Sequence, residues 1–234
     1  MTDGGEAAIP ATMRLLAIDT ALEACSVGVL ADGKTITRSE IIGRGHAEIL
    51  MGMIEDELRD AALTVADLDR IAVTIGPGSF TGLRVGIAAA RGLALVLGKP
   101  AVGIGTLAVH AEEARAANGS RPVLAVLAAG RGEIYGAVYA RDGRETLTAQ
   151  AGSPEIFAAE VTADTLIAGS GADLILAALP MDSKAEVAHR HSAPDITALC
   201  RCALAAPAPT AAPRPLYLRP PDAKPQGAAR VAHR

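Results

Sequence analysis

Residues 76–82, Gly-Pro-Gly-Ser-Phe-Thr-Gly, form a glycine-rich loop between a short apolar run and a long one. Glycines permit positive φ angles and close backbone approach, Ser79 or Thr81 can cap a following helix, and the amides of a helix N-terminus attract anions. A phosphate or carboxylate could bind here, but a tight strand-to-helix turn needs the same residue types, so a purely structural role stays equally open. The candidate anion site consists of Gly76, Gly78, Ser79, Thr81 and Gly82.

An acidic turn, Asp19-Thr20, ends the first predicted strand. A carboxylate at this position could hold Mg²⁺ beside a nucleotide phosphate. Phosphate-gripping versions of such a turn carry glycine next, whereas Ala21 follows here. We therefore interpret it as a degenerate phosphate turn, in which Asp19 bonds turn amides.

The five histidines and three cysteines are poorly spaced for a metal. No H-E-x-x-H or H-x-x-x-H pair is present, and neither His189-x-His191 nor Cys200-x-Cys202 has the usual zinc spacing. Cys200 and Cys202 also fall in a predicted helix, where residues two apart diverge. The sequence predicts no metal site.

Hydrophobic periodicity predicts the same order of elements in both halves of the chain. Each half reads strand, strand, Asp-Gly turn, strand, helix, strand, helix, with Asp32-Gly33 and Asp142-Gly143 as the hairpin signals. The predicted strands are 15–18, 27–31, 34–41, 71–75, 123–128, 134–140, 144–149 and 166–169. The predicted helices are 46–62, 83–97, 107–117, 172–179 and 196–205, with one more starting at Ser153.

This shared order indicates an internal duplication of an α/β unit, although two Asp-Gly hairpins could also arise by chance. The helix 107–117, capped by Thr106, is predicted to connect two lobes. The helix 83–97 is apolar on nearly every face, which predicts that it is buried. We expect a loose arm at 1–12, an N-terminal lobe at 13–105, a C-terminal lobe at 106–220 and a flexible tail at 221–234.

Composition limits the function. Half of the 234 residues are hydrophobic and 21% are charged, which excludes a largely disordered chain. A net charge of −4, with 2% aromatic residues and no Trp, argues against nucleic-acid binding without a partner. Three cysteines indicate a reducing compartment, so we expect the cytoplasm. The apolar run 83–98 is short and contains Arg84 and Arg91, which argues against a membrane span.

The helix 46–62 has a wide apolar face. Leu50, Ile54 and Leu58 recur at helical spacing, and Met51 and Met53 lie beside them. Methionine packs adaptably and recurs at interaction surfaces, so contact with another chain is one interpretation. Burial in the chain's own core is the other, and the spacing alone slightly favours it.

Several motifs together resemble the bacterial TsaB family over residues 13–220. They are Leu-Leu-Ala-Ile-Asp-Thr at 15–20, Cys-Ser-Val at 25–27, His46, the glycine-rich segment 76–86, and Tyr-Leu-Arg at 217–219. The resemblance implies two tandem actin-like (ASKHA, ribonuclease-H-type) lobes, each a mixed sheet with flanking helices. It also implies a non-catalytic partner of the transferase TsaD. With the ATPase TsaE, that pair supports threonylcarbamoyl transfer to the adenosine next to the anticodon of tRNAs reading ANN codons.

The same resemblance implies that two helices, 47–62 and 83–97, pair with TsaD, or with a second copy when TsaD is absent. It leaves open a nucleotide at the interface with TsaD, and it implies tRNA contact only through the complex. It favours the interface interpretation for the apolar face of the helix 46–62, although some residues of this helix must still pack in the core. The interface residues expected on this basis are Leu50, Met51, Met53, Ile54, Leu58 and Arg84.

The chain departs from the family pattern at two places. Ala129-Gly130-Arg131 replaces Asp-Ala-Arg, and His46-Ala47 replaces His-Ser. The first change removes an acidic side chain, which argues against a ligand role at the end of the strand 123–128. The second removes a hydroxyl at the start of the helix 46–62.

Two alternative functions stay open from the sequence. One is a stand-alone ATPase or phosphotransferase of actin-like fold, which would need an intact phosphate turn and a catalytic acid. The other, more remote, is a glycoprotease-like peptidase, for which neither a metal pair nor a Ser/His/Asp arrangement is evident.

Overall fold

The computed structural model describes residues 13–219, so the predicted arm at 1–12 and tail at 221–234 lie outside the described residues. The first half contains β1 (Leu15–Asp19), β2 (Ala24–Ala31), β3 (Lys34–Ile41), α1 (His46–Asp60), β4 (Arg70–Gly76), α2 (Phe80–Leu97), β5 (Ala101–Gly105) and α3 (Thr106–Asn118). The second half contains β6 (Val123–Gly130), β7 (Glu133–Tyr139), β8 (Glu145–Gly152), α4 (Pro154–Ala158), β9 (Leu166–Ala168), α5 (Ala172–Ala178), β10 (Glu186–His189) and α6 (Ile196–Ala205). A single 3₁₀ turn, Val65–Asp67, precedes β4.

Each half builds one five-stranded mixed sheet. The strand orders are β3-β2-β1-β4-β5 and β10-β9-β6-β7-β8, so the second sheet read backwards repeats the first. In each sheet the first three strands form an antiparallel meander and the last two pair in parallel. The predicted duplication into a two-lobed α/β fold is confirmed.

The repeating unit is one strand and one helix longer than the sequence predicts. Strands β5 and β10 were missed, because Ala-Val-Gly-Ile-Gly and Glu-Val-Ala-His are short and weakly apolar. The predicted connecting helix α3 is the final helix of the first unit and corresponds to α6 in the second. Its predicted cap is wrong, because Gly105 occupies the N-cap position and Thr106 is the first helical residue.

The final helices pack across the two lobes, and Val109 of α3 contacts the first sheet. Leu107 and Ala111 of α3 pack in one cluster with the second sheet. Leu199 and Ala203 of α6 pack with Leu15 and neighbouring residues of the first sheet. The two halves therefore share buried surface, and α6 lies on the N-terminal sheet although its sequence belongs to the C-terminal half.

Helices α1 and α2 cover the other face of the first sheet. The prediction of a buried α2 is wrong: 28% of its residues are buried, among them Leu83 and Ile87, while Leu95 and Val96 are 84% and 83% exposed. Its apolar residues extend around the helix beyond the strip that contacts β4. Among residues 13–219, α2 is also the one helix long and apolar enough to cross a membrane by length and composition.

Candidate functional site

The glycine loop packs directly against the turn that follows β1. A Cβ atom at Gly78 would lie 2.3 Å from the Ala21 carbonyl oxygen, and one at Gly82 would lie 2.1 Å from the Thr20 carbonyl oxygen. Both distances are far below van der Waals contact, so only glycine permits this approach. The spacing of glycines in the loop is thus explained by the packing of one backbone segment on another.

Several polar groups of the loop already have partners inside the chain. The Ser79 amide donates to the Ala21 carbonyl at 2.6 Å, and the Thr20 hydroxyl donates to the Gly82 carbonyl at 2.7 Å. The Ser79 hydroxyl accepts from the Gly82 amide at 3.3 Å, which confirms Ser79 as the cap of α2. Anion binding at this loop stays a prediction, with fewer free amides to support it than the motif implies.

Asp19 points into the protein. Its side chain is 1% exposed, and Oδ1 accepts hydrogen bonds from the Thr74 hydroxyl at 2.5 Å and from the Ala21 amide at 3.0 Å. Desolvation by burial raises the pKa of this carboxyl above its usual value. Asp19 therefore bonds a turn amide, as the sequence predicts, and its carboxylate is buried at the end of β1.

An apolar groove of about 480 Å³ lies on the outer surface between α1 and α2, and we call it the α1–α2 groove. Its wall from α2 includes Val85 and the small residues Ala88 and Ala89. The other lining residues are Ala47, Leu50, Met51, Phe80, Thr81 and Arg84.

One end of the groove is fixed by three side chains. The Phe80 ring, 42% exposed, lies 5.1 Å from the Tyr217 ring, centroid to centroid. The Arg84 guanidinium carbon stands 3.7 Å from the Phe80 ring centre, and its Nε donates to the Tyr217 hydroxyl at 3.1 Å. Cation–π contact and the hydrogen bond restrict all three, so the groove has an ordered aromatic edge.

The C-terminal segment supplies Tyr217 because it docks on the first sheet. The Leu216 amide donates to the Ile75 carbonyl at 2.7 Å, which attaches this segment to β4. Arg219 then donates to the Ala129 carbonyl at 2.9 Å and pairs with Glu133. The segment thus links the glycine loop to the second lobe at the end of β6, where Ala129 lies.

Another motif residue, His46, begins α1. Its ring is buried, and Nε2 lies 3.0 Å from the Leu22 carbonyl oxygen, to which it donates. The same turn that meets the glycine loop is therefore also held by the start of α1. Both helices that line the groove are anchored to this turn.

The structure divides the predicted interface residues into two groups. Met51 is 46% exposed and Arg84 is exposed, and both line the groove. Leu50, only 2% exposed, forms the groove floor, whereas Met53, Ile54 and Leu58 lie in the core at 3%, 1% and 4% exposure. Placing these three at an interface was wrong, because their 3.6-residue spacing marks the face of α1 that packs on the sheet.

The sequence patterns do not predict Phe80 or Tyr217 as interface residues. Phe80 belongs to the glycine-loop motif, and Tyr217 belongs to the Tyr-Leu-Arg motif at 217–219. Their proximity depends on the tertiary fold, which brings residues from opposite ends of the chain together.

Comparison with known proteins identifies relatives of the chain. The family model described as "TsaD: tRNA N6-adenosine threonylcarbamoyltransferase" matches residues 36–162. The tRNA threonylcarbamoyladenosine biosynthesis protein TsaB of Escherichia coli (strain K12) is 44% identical over 130 residues, 56% of this chain and 56% of that protein. TsaB of Haemophilus influenzae is 34% identical over 61% of this chain and 65% of that protein. The matched segment thus spans less than two thirds of either relative.

Solved structures extend the likeness to most of the chain. YeaZ from Pseudomonas aeruginosa superposes with a TM-score of 0.70 at 33% identity, over 83% of this chain and 93% of that one. A second Pseudomonas aeruginosa structure, an uncharacterized protein described as similar to peptidase YEAZ, gives a TM-score of 0.76 at 32% identity and covers 89% of this chain and 100% of that one.

Proposed function

The chain belongs to the TsaB (YeaZ) family, and on this basis we propose that it is a non-catalytic subunit of the machinery that makes threonylcarbamoyladenosine in tRNA. The observation that carries the proposal is the exposed apolar α1–α2 groove with its ordered aromatic edge. Apolar surface of this kind marks an interaction site, since burying it contributes roughly 25 cal/mol per Å².

The proposed occupant of the groove is the transferase TsaD. This chain itself matches the family model described as TsaD over residues 36–162, a segment that includes α1 and α2. Related lobes can pair through equivalent surfaces in a nearly two-fold arrangement, as identical lobes do in a C2 dimer. Self-association when TsaD is missing would use the same face and compete with this pairing.

The turn after β1 supports a non-catalytic role. Catalysis of phosphate chemistry there would need an accessible carboxylate beside free amides, but Asp19 is buried and the Ala21 amide is bonded to it. ATP hydrolysis is accordingly assigned to TsaE. A net charge of −4 and few aromatic rings assign direct tRNA binding to the partner's surface as well.

Reconstitution tests the proposal. TsaD and TsaE from the same source are incubated with unmodified tRNA, with and without this chain, and modified adenosine is quantified. We expect modification to depend on the chain, and the purified chain alone to hydrolyse ATP at the rate of a heat-inactivated control. Modification that proceeds equally without the chain, or ATP hydrolysis by the chain that is lost in Asp19→Ala, would overturn the assignment.

A further inference from the structure

Three histidines and a glutamate from two distant segments meet beside α3. His110 and Glu113 lie three residues apart on α3 and therefore share a face of the helix. His189 ends β10, and His191 follows it in the connection to α6. Each of these four side chains offers one atom that could bind a metal ion, and these four atoms all lie within 4.8 Å of one another. We call this set the His110 cluster.

The carboxylate of Glu113 lies among the imidazoles. His191 Nε2 is 2.8 Å from Oε1 of Glu113, and His189 Nε2 is 3.8 Å from Oε2. The rings of His189 and His191 stack with centroids 4.0 Å apart, and the ring of His110 is 5.2 Å from the first and 6.0 Å from the second. All four side chains thus converge on one small volume.

Several ring nitrogens of the His110 cluster have no hydrogen-bond partner among residues 13–219. His110 is fully buried, and its Nε2 must donate to the Ser192 carbonyl at 2.8 Å, so Nδ1 keeps a lone pair and has no partner. Among residues 13–219, no group lies in hydrogen-bonding geometry with either ring nitrogen of His189. Buried polar atoms are almost always paired, and each of these two neutral rings offers one lone pair, so the cluster calls for a ligand.

The protonation state of the buried rings suits a metal. Desolvation lowers the pKa of His110 to about 3 and lowers the pKa of His189 below its usual value. Burial thus favours the neutral form of both rings, which is the form of imidazole that coordinates metals.

We propose that His110, Glu113, His189 and His191 together bind one divalent transition-metal ion of the zinc class. Three imidazoles and a carboxylate are ligands that Zn²⁺ accepts in tetrahedral sites. In a tetrahedral site, four ligand atoms about 2.1 Å from the ion lie about 3.4 Å from one another. The four candidate ligand atoms, which lie within 4.8 Å of one another, need only a small inward movement to reach this geometry.

Hydrogen bonds outside the cluster orient its ligands. The Ser192 carbonyl fixes the tautomer of His110, and the Asp195 amide donates to Oε2 of Glu113 at 3.0 Å. Such contacts are typical of metal sites and hold ligands in their binding orientation. The Ser192 hydroxyl also bonds Glu23 of the first lobe.

With four protein ligands, the site would be structural, because catalytic zinc sites keep an open position. The ion would tie the connection between β10 and α6 to α3 at the junction of the two lobes. None of the four ligands lines the α1–α2 groove, so the metal site and the pairing surface can be tested separately.

The sequence predicts no metal site because neither segment alone carries a metal-binding spacing. His110-x-x-Glu113 and His189-x-His191 are each too common to be informative, and the fold brings them together across 79 residues of sequence. The sequence signal for this site is the presence of two pairs of metal-ligand residues, one spaced i, i+3 on a predicted helix and the other spaced i, i+2.

The test uses the full chain without an affinity tag, stripped of metal by a chelator and titrated with Zn²⁺ in a calorimeter. The variants are His191→Ala, whose side chain is 47% exposed, and Glu113→Gln, which keeps an oxygen to accept from Asp195. The matched control is Arg190→Ala, which lies between the two histidines and pairs with the exposed Asp173. Circular dichroism confirms that each variant is folded.

We expect one equivalent of Zn²⁺ per chain, about tenfold or more weaker binding in His191→Ala and Glu113→Gln, and unchanged binding in Arg190→Ala. Co²⁺ should give the visible absorption of a tetrahedral site, and Zn²⁺ should raise the melting temperature of the parent and of Arg190→Ala. No saturable binding to the folded parent chain, or equal affinity in parent and both ligand variants, would overturn the proposal.

Discussion

The hydroxyl of Thr20 donates a hydrogen bond of 2.7 Å to the carbonyl oxygen of Gly82, which ties the turn after β1 to the first turn of α2. The Thr20 carbonyl in turn occupies the space where a Cβ of residue 82 would stand. The two segments that most resemble a nucleotide site thus brace each other. Since His46 holds the same turn, this contact also sets the positions of the helices that form the α1–α2 groove.

Gly82→Ala should lower the free energy of unfolding by about 2 kcal/mol or more, because its Cβ would lie 2.1 Å from a backbone oxygen that cannot rotate away. Gly92→Ala, in the same helix and with no atom within 4 Å of its Cβ, should instead stabilise by about 0.5–1 kcal/mol. Urea denaturation measures both. Equal effects of the two substitutions would contradict the packing role of the loop.

Met51→Glu should weaken pairing with TsaD by about tenfold or more, because a charge placed in the apolar groove loses its water on binding. The folded chain should keep its melting temperature, since Met51 is 46% exposed. Pairing is measured by calorimetry and by co-elution. Undiminished pairing of Met51→Glu would remove the α1–α2 groove as the interface.

Ile54→Glu should act on the fold rather than on the interface. Ile54 is 1% exposed in the core under α1, so an unpartnered carboxylate there should cost about 3 kcal/mol or more of stability. Thermal unfolding followed by circular dichroism measures this. A folded Ile54→Glu chain with normal stability and lost pairing would restore the original interface assignment.

Asp19→Asn should retain the fold, because its side-chain oxygen can still accept from Thr74 and Ala21. Burial raises the pKa of Asp19 in the folded chain, so the folded state holds its proton more tightly than the unfolded state does. The parent should therefore lose stability relative to Asp19→Asn as pH rises from about 4 toward neutral. Urea unfolding across this range checks the sign, and a difference that moves in the parent's favour with rising pH would contradict it.

The three thiols should be unreactive in the folded chain. Burial raises the pKa of Cys25 to about 11 and the pKa values of Cys200 and Cys202 to about 12. Alkylation by iodoacetamide at about pH 8 should be a hundredfold or more slower, as an order of magnitude, than in denaturant. Mass spectrometry counts the labelled sites, and labelling of the folded chain at the rate of the unfolded chain would contradict these pKa shifts.

Local sequence patterns predicted most of the fold because the two units repeat the same hairpin and helix signals. They do not predict which sheet each final helix covers, because an apolar face does not specify its partner: Leu199 packs on the first sheet and Leu107 on the second. Strands β5 and β10 were missed because neighbouring strands, rather than apolar content, hold them in place.

The candidate sites were less predictable than the fold. The spacing of Met51 and Ile54 on α1 is compatible with either one facing inward, and the packing of α1 on the sheet decides it. Phe80 meets Tyr217, and His110 meets His191, only after the chain has folded. Sites assembled from distant segments leave no local motif to detect.

One assay tests the central claim, that the chain is a required but non-catalytic subunit acting through the α1–α2 groove. Threonylcarbamoyladenosine is quantified in tRNA incubated with TsaD, TsaE and either the parent chain, Met51→Glu, Asp19→Asn or no chain. We predict full modification with the parent and with Asp19→Asn, and little modification with Met51→Glu or without the chain. Full modification without the chain, or loss with Asp19→Asn while Met51→Glu stays active, would contradict the claim.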